Sequence, residues 1–235
     1  MKKIVIFTIV VCFFSFNKAT YATQSPNDVS EKNLIQELSD SDEQREKEII
    51  ETDLENEIVK IDEIEIGVES CQIRTIQKNG DGETVKAYSA ATASPKNSNG
   101  LPYGEKGRVY KITFNPSWSP TENIQKENIK KFGKRLPKEV PPGKNNPLGT
   151  LKLYIAFPSD YTLGIHGTNE PKSIGKRVSH GCNRLKKEDI EEVVRTILEQ
   201  NGYDADELFE RAAKNPKVAI AINLKIKPAV TYFKE

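Results

Sequence analysis

The sequence is short of the residues that build disulfide frameworks and metal clusters: it has three cysteines and two histidines in 235 residues. Cys12 falls in an apolar N-terminal run, and the remaining pair, Cys71 and Cys182, is too small a set for a disulfide-stapled scaffold. A bond between those two would silence any thiol chemistry, so Cys71 is expected to be a small buried hydrophobe near the first strand. After residue 16 no apolar run is long enough to cross a bilayer, which excludes a multi-span helical membrane protein. Arginine-rich helices and basic–aromatic stripes are absent, which argues against nucleic acid as a partner. There is no internal repeat, and tryptophan occurs once, at Trp118 in a proline-rich turn.

What is present begins with an address. Met1-Lys2-Lys3 followed by the apolar run Ile4 to Phe16 has the charged start and short core of a secretory signal. Thr20 and Ala22 put small residues at both key positions, so cleavage after Ala22 is expected, with an uncleaved membrane anchor as the alternative. Val11 before Cys12 and Phe13-Phe14 after it do not suit a lipid-attachment site.

The net charge of +1 conceals a segregation. Residues 23–66 carry fifteen acidic and four basic side chains, whereas residues 67–235 carry nineteen acidic and twenty-eight basic. Within the acidic part Ile50, Leu54, Ile58 and Ile61 recur near helical spacing, so it reads as an amphipathic helix or a solvated tether. The expected organisation is a signal over 1–22, an acidic linker or helical extension over 23–66, and one folded domain over 67–235.

The folded part is predicted to be mainly β. Gln72 to Gln77 and Glu83 to Ala91 alternate apolar and polar residues around the turn signal Asn79-Gly80-Asp81-Gly82. Arg108 to Phe114 alternates again, with Val109, Ile112 and Phe114 as core candidates. Ser119-Pro120 is predicted to cap a helix that runs to about Phe132 and stops at Gly133. Leu151 to Phe157, Tyr161 to Ile165 and Val218 to Ile226 read as further strands. Between them, Glu188 to Gln200 shows the helical stripe Ile190, Val193, Val194 and Ile197. Asp204 caps a second helix with Leu208, Phe209 and Ala212, ending before Pro216.

The chemistry concentrates in Ser179-His180-Gly181-Cys182, with His166 sixteen residues before the cysteine. A cysteine attacks as its thiolate, and a neighbouring imidazole makes that form accessible. Both histidines of the chain beside one thiol therefore read as an activated nucleophile, against the alternatives of a structural thiol or a metal ligand. Three Cys and His residues could close a catalytic zinc site, but their spacing matches no familiar zinc pattern, so no metal and no cofactor is expected. Gly181 adds weight, because a chain that bends sharply and presents N–H groups to an oxyanion tolerates no side chain there.

These residues and their surroundings resemble the active-site signature of the L,D-transpeptidases of the YkuD type. The resemblance lies in Ile165-His166-Gly167-Thr168-Asn169-Glu170-Pro171, Ser173-Ile174-Gly175 and Val178-Ser179-His180-Gly181-Cys182-Asn183-Arg184-Leu185. Upstream, Asn115-Pro116-Ser117-Trp118-Ser119-Pro120-Thr121 and Pro141-Pro142-Gly143-Lys144-Asn145-Asn146-Pro147-Leu148-Gly149 are similar to the envelope branch from Gram-negative bacteria. The resemblance implies the family's mixed β-sandwich, here with a capping helix and an inserted helical hairpin at about 187–215, which either shapes a groove or packs outside.

It also implies roles. Cys182 is the expected nucleophile, cleaving the meso-diaminopimelate–D-alanine bond of a tetrapeptide stem to give a thioester that an amine resolves. His166 stands at the family's base position, with the Gly167 carbonyl holding its other nitrogen, and His180 is left to fix the loop or tune the sulfur. The Gly181 and Cys182 amides are candidates for the oxyanion hole, and Ser179 for bracing the loop. Arg184 reads either as a carboxylate binder or as a salt bridge holding the loop. Asn183 departs from the family, which prefers an apolar residue there. Trp118 reads as a lid or a core anchor, and Tyr154 as a residue of the groove wall. No recognisable wall-binding module accompanies the domain.

The expected partners are peptidoglycan stem peptides, whose carboxylates suit a basic domain, and an envelope lipoprotein as one acceptor. Residues 23–66 would supply any tether to membrane or wall, and the expected location is the periplasm. Cross-linking, lipoprotein anchoring, D-amino-acid exchange and carboxypeptidase action share one acyl-enzyme, so the motif does not separate them. A wall-binding scaffold and a peptidase of ordinary L-peptides are the readings outside that class.

Overall fold

A computed structural model describes residues 59–235. The expected signal sequence and the stripe at Ile50, Leu54 and Ile58 lie outside the described residues.

The chain opens with three antiparallel neighbours, β1 (Glu63–Gly67), β2 (Gln72–Asn79) and β3 (Gly82–Ser89). Asn79 pairs with Gly82 across Gly80-Asp81, so the two-residue turn fixes the β2–β3 register as its sequence signal predicted. Then follow β4 (Thr92–Ala93), β5 (Lys106–Phe114), α1 (Glu122–Phe132), β6 (Leu151–Ala156), β7 (Thr162–His166), β8 (Arg177–Ser179) and β9 (Asn183–Arg184). The chain closes with α2 (Lys187–Gln200), α3 (Ala205–Lys214), β10 (Ile220–Asn223) and β11 (Ala229–Phe233).

One mixed sheet of nine strands runs β3-β2-β1-β11-β5-β6-β7-β9, with β10 beside the far end of β5, and β4 pairs with β8 in a small second sheet. The mainly β, mixed architecture expected from the sequence is the one the chain adopts.

The folded unit starts earlier than residue 67. Strand β1 lies inside the sheet, antiparallel to β2 and parallel to β11. Ile61, Ile64 and Ile66 are buried in the core. The acids that made this stretch look like extension sit on the other face of the strand, where basic side chains meet them: Glu63 pairs with Lys78 and Lys106, and Glu65 with Arg74. Acid–apolar alternation here is a strand with a solvated face, not a tether.

The core fills with the inward residues of β5, β6 and β7, among them Val109, Ile112, Leu153, Ile155 and Ile165. Helix α2 lies against them. Ile190, Val193, Val194, Ile197 and Leu198 are all at most 1% exposed, each contributing about 2 kcal/mol of burial. Helix α2 is therefore part of the core rather than an outer decoration. Helix α3 begins where the sequence placed its cap, with the Asp204 carboxylate accepting from Glu207 N at 2.9 Å, and Phe209 packs edge-on to Phe114.

Helix α1 starts two residues later than predicted, at Thr121, whose hydroxyl accepts from Ile124 N. Gly133 ends it in the left-handed conformation. Cys71 is buried with its sulfur 3.5 Å from Thr92 Oγ1, and both Cys71 and Cys182 are free thiols. Among the described residues no helix is long and apolar enough to cross a membrane.

Candidate active site

Strand β7 runs antiparallel to β6 on one side and parallel to β9 on the other. The register sets Lys152, His166 and Arg184 in one row across the three strands, and Tyr154 opposite Gly164 in the next. Side chains two apart on a strand share a face, so His166, Gly164, Lys152 and Tyr154 lie on the face turned away from the core. Cys182 is the residue immediately before β9, offset by two from the row of His166. Sixteen residues of chain separate the two in sequence, and the β7–β9 pairing brings the ends of that loop together.

His166 is 5% exposed, with Nδ1 2.6 Å from the Gly167 carbonyl oxygen. A carbonyl only accepts, so the ring proton belongs on Nδ1 and Nε2 is left as the acceptor. Burial drives the imidazole pKa down to about 3; the Gly167 carbonyl opposes that, and the charges of Arg184 and Lys152 add to it. His166 is thus a neutral base. The turn beside it depends on Gly149, at φ 67°, because a Cβ there would come within 3.0 Å of Thr168 N and 3.1 Å of the Gly167 carbonyl carbon.

Cys182 keeps part of its surface open, while burial of its sulfur pushes the thiol pKa up. The Lys152 charge, a hydrogen bond from the Gly164 backbone and the Arg184 charge act in the opposite direction. The resting pair is therefore a thiol and a neutral imidazole, with two cations arranged to favour the thiolate once the proton leaves.

Gly181 bends the loop at φ 137°, and its N–H donates to Ser179 Oγ at 3.1 Å. This corrects one expectation: the Gly181 amide is already engaged, whereas the Cys182 amide finds no acceptor among the described residues. Ser179 is 3% exposed and its carbonyl accepts from Ser94 N and Asn97 Nδ2, which fastens the loop to the helical turn at Pro95–Ser98.

His180 points to helix α1. Its Nε2 donates to Glu127 Oε2 at 2.6 Å, and Lys96 Nζ reaches the other oxygen at 2.6 Å. Hydrogen bonds from Lys96 and His180 lower the Glu127 pKa to about 2. Arg184 pairs with Glu170 at 3.1 Å, which brings the two ends of the histidine-to-cysteine loop together.

A cavity of about 750 Å³ opens between α1 and the start of β7, lined by Thr121, Glu127, Tyr161, Leu163, His180 and Cys182 among others. Trp118 and Tyr154 line no part of it. Trp118 instead forms a two-way backbone bridge with Val140, which closes the excursion that carries α1. Asn146 is fully buried and donates to the carbonyls of Pro116, Val140 and Pro141, locking the same closure. Two ammonium groups approach the Tyr154 ring, Lys111 Nζ at 4.1 Å and Lys152 Nζ at 4.3 Å from its centre.

Sequence reasoning missed Lys152, Lys111, Glu127 and Lys96. The signal available for Lys152 is the alternation along β6, which turns it away from Leu151 and Leu153, but nothing local places His166 opposite it.

A sequence model of the YkuD L,D-transpeptidase catalytic domain matches residues 62–220. "Probable L,D-transpeptidase YbiS" of Escherichia coli (strain K12) is 46% identical over 83 residues, 35% of this chain and 26% of that protein. "Probable L,D-transpeptidase ErfK/SrfK" of Salmonella typhimurium is 47% identical over 75 residues, 32% of this chain and 23% of that protein. The matched stretch thus spans about a quarter of the length of these relatives. An L,D-transpeptidase from Mycobacterium smegmatis superposes with a TM-score of 0.36 at 12% identity, covering 72% of this chain and 57% of that one. That overlap is too loose to establish a shared fold by itself.

Proposed function

We propose, for a chain that belongs to the YkuD family of L,D-transpeptidase catalytic domains, that Cys182 forms an acyl-enzyme on peptidoglycan stem peptides. The observation that carries this reading is the His166 imidazole, buried, neutral and held through Nδ1 by Gly167 so that Nε2 is available as a base beside the thiol strand.

His166 Nε2 takes the thiol proton as sulfur attacks the carbonyl of the meso-diaminopimelate–D-alanine bond. The Cys182 amide donates to the oxyanion, while Lys152 and Arg184 favour the negative sulfur that develops. Collapse returns the proton to the leaving nitrogen, D-alanine departs, and a thioester remains. An acceptor amine then attacks the thioester, gives its proton to His166, and releases sulfur, which is reprotonated. Another stem as acceptor gives a 3-3 cross-link, and a lysine of an envelope lipoprotein gives anchoring. A free D-amino acid gives exchange, and water gives carboxypeptidase action. Stem peptides as substrate imply a periplasmic reaction, with the acidic stretch that precedes residue 59 as the tether between the export signal and the domain.

Intact mass spectrometry of the protein mixed with muropeptide tetrapeptides, wild type against Cys182→Ala, tests the proposal. The expected result is a thioester adduct and loss of D-alanine in wild type alone, with the product identifying the acceptor. A folded, reduced wild type that forms no adduct and alters no stem peptide overturns the enzyme reading in favour of a wall-binding scaffold.

A further inference from the structure

Of the two lysines near the Tyr154 ring, Lys111 has no role in the chemistry above, and Lys152 acts there only through its charge. Lys111 and Lys152 come from neighbouring strands, β5 and β6, and their ammonium groups converge on one aromatic ring at 4.1 and 4.3 Å from its centre. Both side chains are half-buried. Among the described residues neither has a carboxylate within ion-pair distance. Two half-buried cations that converge without an acid repel one another, and the face of the tyrosine ring offsets only part of that.

Gly164 sets the direction of one of them. A Cβ at Gly164 would meet Lys152 Cε at 3.0 Å, so the lysine stem occupies the space the glycine leaves and lies on the row that leads to Cys182. Tyr154 stands two strands from the cysteine position, about 10 Å at the usual strand spacing. That reach takes in a group several bonds from a scissile carbonyl held at the thiol.

We propose that Lys111, Lys152 and Tyr154 form a carboxylate-binding subsite beside the nucleophile, which takes a carboxylate of the stem peptide. Two ammonium groups offer donors only and a phenol hydroxyl can add a third, while an ionised carboxylate offers acceptors only. The subsite rests on the stem-peptide reading above and gives that reading a polarity: substrate runs from the thiol across β7 towards β5.

The test is binding to the full chain carrying Cys182→Ala, followed by NMR titration, so no turnover is needed. The probes are a stem tetrapeptide and a stem tripeptide, each with free carboxylates or with those carboxylates amidated. The carboxylate form is expected to bind at least about tenfold more tightly, the scale of one charge-assisted contact. Lys111→Gln with Lys152→Gln should erase that preference, and Lys111→Arg with Lys152→Arg should keep it. A preference confined to the tetrapeptide assigns the subsite to the donor stem, and one shared by the tripeptide assigns it to the acceptor. Equal binding of acid and amide, or a preference that survives in a folded double glutamine variant, overturns the subsite. Neither result depends on whether wild type forms a thioester, so the two proposals fail separately.

Discussion

Asn183 Nδ2 lies 2.6 Å from the Tyr232 hydroxyl, in the core one residue past Cys182. Asn183 is fully buried, and its Oδ1 is the buried side-chain polar atom left without a partner among the described residues. Burial also pushes the Tyr232 hydroxyl pKa well up, with the nearby Cys182 position acting in the same direction. A polar pair thus stands at the position where the sequence departs from the family resemblance, and it leaves one acceptor unsatisfied.

That pair predicts non-additive stability. Asn183→Leu strands the Tyr232 hydroxyl, and Tyr232→Phe strands the Asn183 amide. The double variant strands neither, so it should be more stable than either single variant by at least about 1 kcal/mol. Urea denaturation midpoints measure this, and simple additivity of the two single effects would rule it out.

A neutral base predicts a particular pH dependence. His166, with its pKa near 3, is uncharged from mildly acidic pH upward, and the raised thiol of Cys182 stays protonated at neutral pH. Alkylation of Cys182 by iodoacetamide should therefore climb steadily with pH, without the plateau near pH 5–7 that a resting thiolate–imidazolium pair would give. Removing a cation that favours the thiolate raises the thiol pKa further, so Lys152→Gln should move the whole curve to higher pH. His166→Gln should lower turnover by about 10²- to 10⁴-fold with little change in melting temperature.

The link between the catalytic loop and α1 should be sensitive to acid. Glu127 has a folded pKa of about 2, below its ordinary 4.5. Its contribution is fully present above pH 4.5 and is lost as pH falls through about 2. Trp118, the single tryptophan, closes the excursion that carries α1, so its fluorescence reports the state of that segment. Glu127→Gln should show at neutral pH the emission change that wild type shows only in acid, and salt should reproduce part of it. Identical spectra for the two proteins across the titration would refute the link.

Gly149→Ala probes the support under the histidine. The new Cβ meets backbone that cannot swing away, at a φ of 67° that disfavours a side chain. We expect a loss of about 1–3 kcal/mol in stability and a fall in kcat with the Gly167 carbonyl displaced. Unchanged kcat in a folded variant would show that the Gly167 contact does not position the base.

Much of this was legible in the chain because it is local. A two-residue glycine turn fixed the β2–β3 hairpin, and the apolar stripe and aspartate cap marked α2 and α3. The adjacency of Ser179, His180, Gly181 and Cys182 picked out the loop proposed to react, because one bend of backbone has to present them together. Strand β1 was misread because acids dominate its sequence, and the lysines and arginine that neutralise them arrive only with β2 and β5.

Sequence alone therefore singled out Cys182 as the candidate nucleophile and marked most of the elements with the faces they bury, since those follow from periodicity and neighbours within a few positions. Only tertiary structure decided that Lys152 stands opposite His166, that His180 answers to Glu127, that the Gly181 amide is already engaged, and that Lys111 and Lys152 share one tyrosine ring. The physical reason is register: a strand's own pattern sets which way its side chains point, while the order and offset of the sheet set whom they meet.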